Sequence, residues 1–219
     1  MRSSNAGTWA LVPVKALAAA KSRLADALAP SQRARITTAM LTDVLRAVTT
    51  ARRVDDVALV TRDPEVARIA AGFGACIIDD GGAVDLDGAV MAGLTWARAA
   101  RGVERIVFLP ADIPLVRAED VDALIKATDS GPAIVPSRDG SGTNALVLHH
   151  PFAFHPAFDG ASYRRHLERL GGRSERIPTP VAERIGLDID TKEDLVRFRE
   201  CGRGGGTQLE AALDALSIA

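Results

Sequence analysis

Three acidic residues and one run of cations have the type and spacing to do chemistry. Asp112 lies in Leu109-Pro-Ala-Asp-Ile-Pro114, where two prolines stop a strand and stiffen the loop that holds the carboxylate. Asp188-Ile189-Asp190 puts two carboxylates at i and i+2, on one face of an extended segment, where they repel unless a cation lies between them. Three carboxylates converging from two strand ends suit Mg²⁺, a hard cation bound by oxygens and shared with substrate phosphates, which points to phosphoryl or nucleotidyl transfer. Plainer roles compete: Asp112 as a turn former, and Asp190-Thr-Lys-Glu193 as a helix-capping box.

Lys15, Lys21 and Arg23 follow the first strand-like run in VPVKALAAAKSRL. The pattern GxxxxGK[ST] is absent, so this is no Walker A loop. A solvated helix face would explain any one of these cations. Facing metal-binding carboxylates, the set reads as a polyphosphate clamp. Thr61 ends the second run, and 139–144 (DGSGTN) offers backbone amides and the Thr143 hydroxyl as an anion cradle, with a plain hairpin turn as the alternative. Asp63 reads as a helix cap. The four histidines, His149, His150, His155 and His166, lack metal-ligand spacing or a nucleophile partner, and most of them read as structural or surface residues.

These residues need a scaffold, and the pattern supplies one. Short, almost wholly apolar runs at 8–14, 57–61, 75–79 and 105–109 alternate with helical periodicities at 31–50, 64–71, 87–100 and 118–128. That is a mainly parallel α/β sheet buried on both faces. In such a sheet ligands gather beyond the carboxyl ends of the strands, near a topological switch point. After Ser130-Gly131-Pro132, residues 133–136 and 145–149 read as an antiparallel or mixed addition. A short helix at 162–170, a strand pair around Ile177 and 185–188, and a helix at 191–200 follow. Residues 1–200 form a single domain; 201–206 (CGRGGG) reads as a flexible linker and 207–219 as a tail with helical potential.

Composition narrows the partners. The 219 residues carry 27 Lys+Arg against 28 Asp+Glu, a net charge of −1, which lacks the basic excess of a nucleic-acid binder. Two cysteines are too few for a disulfide framework and read as thiols in a reducing cytosol. No export signal opens the sequence and no run approaches the roughly 20 apolar residues of a membrane span, so a cytoplasmic protein is expected.

Seven segments in order resemble the guanylyltransferases of coenzyme F-420 biosynthesis that act on 2-phospholactate, phosphoenolpyruvate or 3-phosphoglycerate. They are VPVKxxxxAKSRL, RxxxxxAMLxDVLRAV, LVTRDP, LPADIPLV, GTNALVL, FxxxSYxRH and LDIDTKEDL, spread over residues 12–195. The resemblance implies a three-layer, Rossmann-like α/β fold of the nucleotide-diphosphate-sugar transferase type, with a mixed, mainly parallel sheet. It implies GMP transfer from GTP to a phosphorylated three-carbon acid, pyrophosphate release, and Mg²⁺ as cofactor. Asp112, Asp188 and Asp190 would hold the metal, and Asp112, Lys15 and Lys21 would form the catalytic set. Lys15, Lys21, Arg23 and Thr61 would face the nucleotide; Thr143, Asp159, Gly160 and Ser162 would meet the acceptor, with a homodimer as the candidate assembly. Another nucleotidyltransferase of this fold, of the molybdenum-cofactor guanylyltransferase or sugar-phosphate cytidylyltransferase type, is the nearest rival; a non-catalytic nucleotide-binding regulator is the other.

Two positions depart from the family pattern. Leu86-Asp87-Gly88-Ala89 replaces Leu-Asn-x-Ala, and Phe158-Asp159-Gly160-Ala161-Ser162 replaces FGxGS. Loss of two glycines should restrict that loop. Asp159 could accept a hydrogen bond from a hydroxyl, which favours 3-phosphoglycerate alongside or ahead of phosphoenolpyruvate.

Overall fold

The computed structural model describes residues 7–17 and 21–218; residues 1–6, 219 and 18–20, the last within the cation-bearing segment, lie outside the described residues. Strands β1 (Gly7–Pro13), β2 (Asp56–Val60), β3 (Cys76–Ile78), β4 (Val103–Phe108), β5 (Ala133–Pro136) and β6 (Thr143–His149) form one sheet in the order β3-β2-β1-β4-β6-β5. Neighbours from β3 to β4 run parallel, whereas β6 is antiparallel to both β4 and β5. The chain leaves β1 for β2 on one side and returns to β4 on the other. The switch point therefore lies between the carboxyl ends of β1 and β4.

Helices α1 (Pro30–Thr50), α2 (Pro64–Gly72), α3 (Leu86–Ala99), α4 (Ala118–Ala127), α5 (Ser162–Arg169), α6 (Thr179–Gly186), α7 (Lys192–Glu200) and α8 (Gln208–Ala215) surround the sheet. Successive strand residues point to opposite layers. Ala10, Val12, Leu59, Val107 and Val147 pack with Leu41, Val44 and Leu45 of α1 and Leu124 of α4. Leu11, Val60, Phe108 and Leu146 pack instead with Val90 and Leu94 of α3. This is the sheet buried on both faces that the apolar runs predict, in the three-layer arrangement that the family resemblance implies. Helix α3 lies close on the sheet: a Cβ at Gly93 would stand 2.6 Å from the Leu11 side chain.

The second half of the chain differs from expectation in two places. Residues 179–186 form α6 in place of the strand pair, because Pro180 suits a first helical turn and Val181 and Ile185 bury one face at i, i+4 spacing. Residues 187–190 then run outside the sheet. The stretch expected to be a flexible linker is a packed turn, in which Gly204 backs onto the Phe198 ring so closely that a Cβ would lie 2.5 Å away.

Helix α8 is docked. Leu209 and Leu213 join a third core with Ile36 and Met40 of α1, Leu195 and Phe198 of α7, and Leu187 and Ile189. Buried Asp43 of α1 accepts from the backbone amides of Gln208 (2.7 Å) and Leu209 (2.9 Å), capping α8 from another helix. Burial pushes the Asp43 carboxyl above its ordinary range, with the two amides opposing. Asp43→Ala should cost about 1–2 kcal/mol, a cap-sized loss, and lower the thermal midpoint. Amide exchange in 208–215 should accelerate selectively. Unchanged protection of those amides would mean that the apolar contacts alone dock the helix.

Candidate functional site

The carboxyl ends of β1 and β4 open onto a cleft of two lobes. One, of about 370 Å³, is lined by Val14, Lys15, Lys21, Thr37, Ala89 and Ala111. The other, of about 590 Å³, is lined by Arg23, Arg138, Thr143, Gly160, Ser162 and Asp188, among others. Leu86, Pro110, Asp112 and Asp190 border both lobes, so two carboxylates stand at the junction.

Their positions follow from local chemistry. Asp112 lies in the loop leaving β4, and its backbone carbonyl accepts from Ile189 N–H (3.0 Å), fastening 187–190 beside it. Asp190 does not cap α7: Thr191 does, paired reciprocally with Asp194, which leaves the Asp190 carboxylate for the cleft. Asn144 of β6 donates to the carbonyls of Ile185 and Gly186 and to Asp188 Oδ1 (3.0 Å), satisfying the end of α6 and orienting Asp188 together. Buried Asp120 holds Arg184 of α6 in a bidentate pair that fixes this helix against α4.

Lys21 closes the cluster. Its Nζ lies 2.6 Å from Asp112 Oδ2 and 2.7 Å from Asp190 Oδ1, with the side chain only 7% exposed. Burial works against the ammonium, yet the two carboxylates outweigh it and hold its pKa at about 12. Lys21 has φ 57°, a left-handed conformation unusual for a side-chain-bearing residue. Arg23 adds an exposed contact to Asp190 at 3.3 Å. The Asp188 carboxyl is pushed up, chiefly by burial and further by Asp112 and Asp190, although Asn144 opposes the shift.

One wall of the larger lobe is a polar chain. Ser162 Oγ donates to Thr143 Oγ1 (3.2 Å), Thr143 Oγ1 lies 3.0 Å from His166 Nδ1, and Ala157 N–H donates to His166 Nε2 (2.8 Å). The neighbouring amide of Phe158 donates to Asp87 Oδ1 (2.6 Å). Asp87, in the position where the family pattern has asparagine, thus ties α3 to the 157–162 loop.

Four sequence-based expectations need correction. Thr61 is buried, accepts from Asp63 N–H, and borders neither lobe. Asp159 points away from the cleft to Arg165 (2.7 Å). The loop's left-handed position is Gly160 (φ 52°), while Asp159 and Ala161 have ordinary φ, so glycine stands where the backbone needs one. The 139–144 segment is no open amide cradle: the amides of Gly140, Ser141 and Gly142 are bonded to Ser137 O, Asp139 Oδ1 and Ser137 Oγ within the turn. The Ser137 hydroxyl and the Ser141 groups hold the Asp139 carboxyl down at about 2. Asp63 does cap α2, and it also accepts from Leu17 N–H, which anchors the loop bearing exposed Lys15. Sequence reasoning missed Asn144, Asp87 and His166; a polar residue inside an apolar strand was the available signal for Asn144.

Residues 8–213 match the family described as guanylyl transferase CofC like. The chain belongs to that family. It is 39% identical over 189 residues to the phosphoenolpyruvate guanylyltransferase of Sphaerobacter thermophilus, covering 86% of this chain and 90% of the relative. It is 35% identical over 200 residues to the 3-phospho-D-glycerate guanylyltransferase of Phenylobacterium zucineum, covering 89% and 91%. The fold of this CofC-like chain is similar to that of a Desulfovibrio desulfuricans G20 protein described as a nucleotide-diphospho-sugar transferase. The TM-score is 0.72 at 19% identity, over 95% of this chain and 94% of that one. By family and fold the CofC-like chain is a nucleotidyltransferase.

Burial, then Arg169 and Arg165, depress the His166 pKa from 6.5 to about 4. Between those values the unfolded chain binds a proton that the folded chain refuses, so this contribution is present above pH 6.5 and lost as pH falls toward 4. It amounts to about 3 kcal/mol. Denaturant titrations of wild type and His166→Gln should therefore converge in stability on acidification. Parallel pH profiles would remove His166 as their source.

Proposed function

We propose that this chain transfers the guanylyl group of GTP to a phosphorylated three-carbon acid and releases pyrophosphate, in assembly of coenzyme F-420. The observation that carries this reading is the two-lobed cleft joined at Asp112 and Asp190. A transferase for two anionic substrates needs two pockets and a charged junction where the reacting atoms meet.

The smaller lobe takes the nucleotide, with Lys15 and Lys21 on its phosphates. The larger takes the acceptor, with the Thr143 and Ser162 hydroxyls and the Gly160 backbone as its contacts. Among the described residues no three Asp, Glu, His or Cys side chains form a ready-made metal cage. The donor set nevertheless fits Mg²⁺, which uses one or two carboxylates and completes its shell with water and substrate phosphates. Asp112, Asp188 and Asp190 would hold it, and when bound it neutralises charge on the phosphates.

An acceptor phosphate monoester has its second pKa near 6 and is mostly dianionic at neutral pH. One of its oxygens attacks the α-phosphorus of GTP, the α–β bridging bond breaks, and the electron pair leaves with pyrophosphate. No general base is required. The chain's residues hold the two anions in line and offset their repulsion.

Incubation of the protein and MgCl₂ with GTP and each of phosphoenolpyruvate, 2-phospholactate and 3-phosphoglycerate, read by mass spectrometry, should give a guanylylated acid and pyrophosphate. Turnover of ATP, CTP or UTP in place of GTP, or of no nucleotide, would contradict the reading. Asp188→Asn should cut turnover by at least about a hundredfold, the scale of losing one preorganised electrostatic group, while circular dichroism stays unchanged. Near-normal activity of that variant at low Mg²⁺ would exclude Asp188 from the metal site. Lys15→Ala should raise the KM for GTP with no change in thermal midpoint, because an exposed cation adds little to folding. Identical kinetics would return Lys15 to the solvated surface.

A further inference from the structure

We infer that His166 is a positioning residue whose neutral imidazole fixes the direction of the Thr143 hydroxyl, so that this hydroxyl donates its proton into the acceptor lobe. The inference rests on the reading that Thr143 meets the acceptor.

The hydrogen bonds to the ring leave one consistent tautomer. Ala157 N–H points at His166 Nε2 across 2.8 Å, so that nitrogen must be the unprotonated acceptor. The ring proton then sits on Nδ1 and is donated to Thr143 Oγ1, 3.0 Å away. Ser162 O–H donates to the same oxygen at 3.2 Å. With both lone pairs of Thr143 Oγ1 engaged, its own proton is left for the cavity that Thr143 lines. An imidazolium would set two N–H groups against each other at Ala157, and the opposite tautomer would do the same.

The surroundings keep the ring in this state. His166 is fully buried, with the Phe158 and Phe154 rings at centroid distances of 4.6 and 5.2 Å. The charged groups around it are Arg165 and Arg169 of its own helix and Asp159 of the preceding loop; the two arginines and burial outweigh Asp159 in disfavouring a second proton. The ligand served this way is an anion, since an acceptor-lobe hydroxyl locked as a donor matches a carboxylate or phosphate oxygen and mismatches an N–H group. Recognition by Thr143 therefore depends on a histidine that never touches the substrate.

Two measurements test this. A long-range ¹H–¹⁵N correlation of the wild-type protein should show His166 protonated at Nδ1 only, and not titrating until about pH 4. The Nε2-protonated form, or titration near the ordinary imidazole range, would overturn the inference. The second is kinetic, with whichever of phosphoenolpyruvate, 2-phospholactate and 3-phosphoglycerate turns over fastest. His166→Asn keeps a donor near Nδ1, whereas His166→Gln keeps an acceptor near Nε2 and loses that donor. The Gln variant should raise the acceptor KM about tenfold, the loss of one directed hydrogen bond, and leave the GTP KM unchanged; the Asn variant should stay within about threefold. Equal values, or the reverse order, would overturn the inference even if both variants are destabilised. Thr143→Val separates the two levels: a raised acceptor KM there with a normal His166→Gln overturns the histidine role alone. A normal Thr143→Val overturns the role of Thr143 as well.

Discussion

Charge compensation among Asp112, Asp188 and Asp190 governs the cleft. Carboxylates brought together from the loop after β4 and from the segment after α6 would push those segments apart. In the structure Lys21 bridges Asp112 and Asp190 at 2.6 and 2.7 Å, from a left-handed backbone position that places its ammonium between them. At Asp188 the Asn144 amide and a backbone N–H oppose burial and the two neighbouring carboxylates without offsetting them, and its carboxyl is pushed up accordingly. The cluster is thus short of positive charge, the condition under which a divalent cation and cationic side chains share a site.

The elements around the cluster serve to hold it in place against this repulsion. The β1–β4 switch point supplies the gap, and Ile189 N–H bonded to Asp112 O staples the two acidic segments. Asn144 fastens Asp188 to the end of α6, and Asp120 fastens α6 to α4 through Arg184. The third core, to which α8 contributes Leu209 and Leu213, lies under Leu187 and Ile189 and so beneath the acidic segment. Beside the larger lobe Asp87 and His166 receive consecutive backbone amides, Phe158 and Ala157, and keep the loop before α5 in shape.

Local patterns made the first half of the chain legible. The apolar runs of β1, β2 and β4 and the periodicity of α1 locate the strand ends, and hence Asp112 and Lys21, because parallel strands buried on both faces leave little ambiguity. Local patterns failed where tertiary contacts decide. A strand pair is expected from the sequence around Ile177 and 185–188, but residues 179–186 become α6 through Pro180 and the Asp120–Arg184 pair, sixty-four positions apart in sequence. Asp190 fits a capping box in sequence, yet Thr191 takes that place. His166 reads as a bland residue until the fold sets it beside Thr143 and Ala157, and Asp159 reads as an acceptor contact until Arg165 turns it outward. Side-chain partners far apart in the chain are what the sequence alone could not display.

We propose that the three carboxylates form a cation site at the meeting point of the two substrates. An anomalous-scattering map of crystals grown with Mn²⁺ and a non-hydrolysable GTP analogue tests it most directly. The expected result is a manganese peak bonded to Asp112 and to Asp188 or Asp190, touching the nucleotide phosphates, with the Lys21 ammonium turned toward those phosphates. Manganese bound elsewhere, with Lys21 still bridging Asp112 and Asp190 beneath a bound nucleotide, would contradict it.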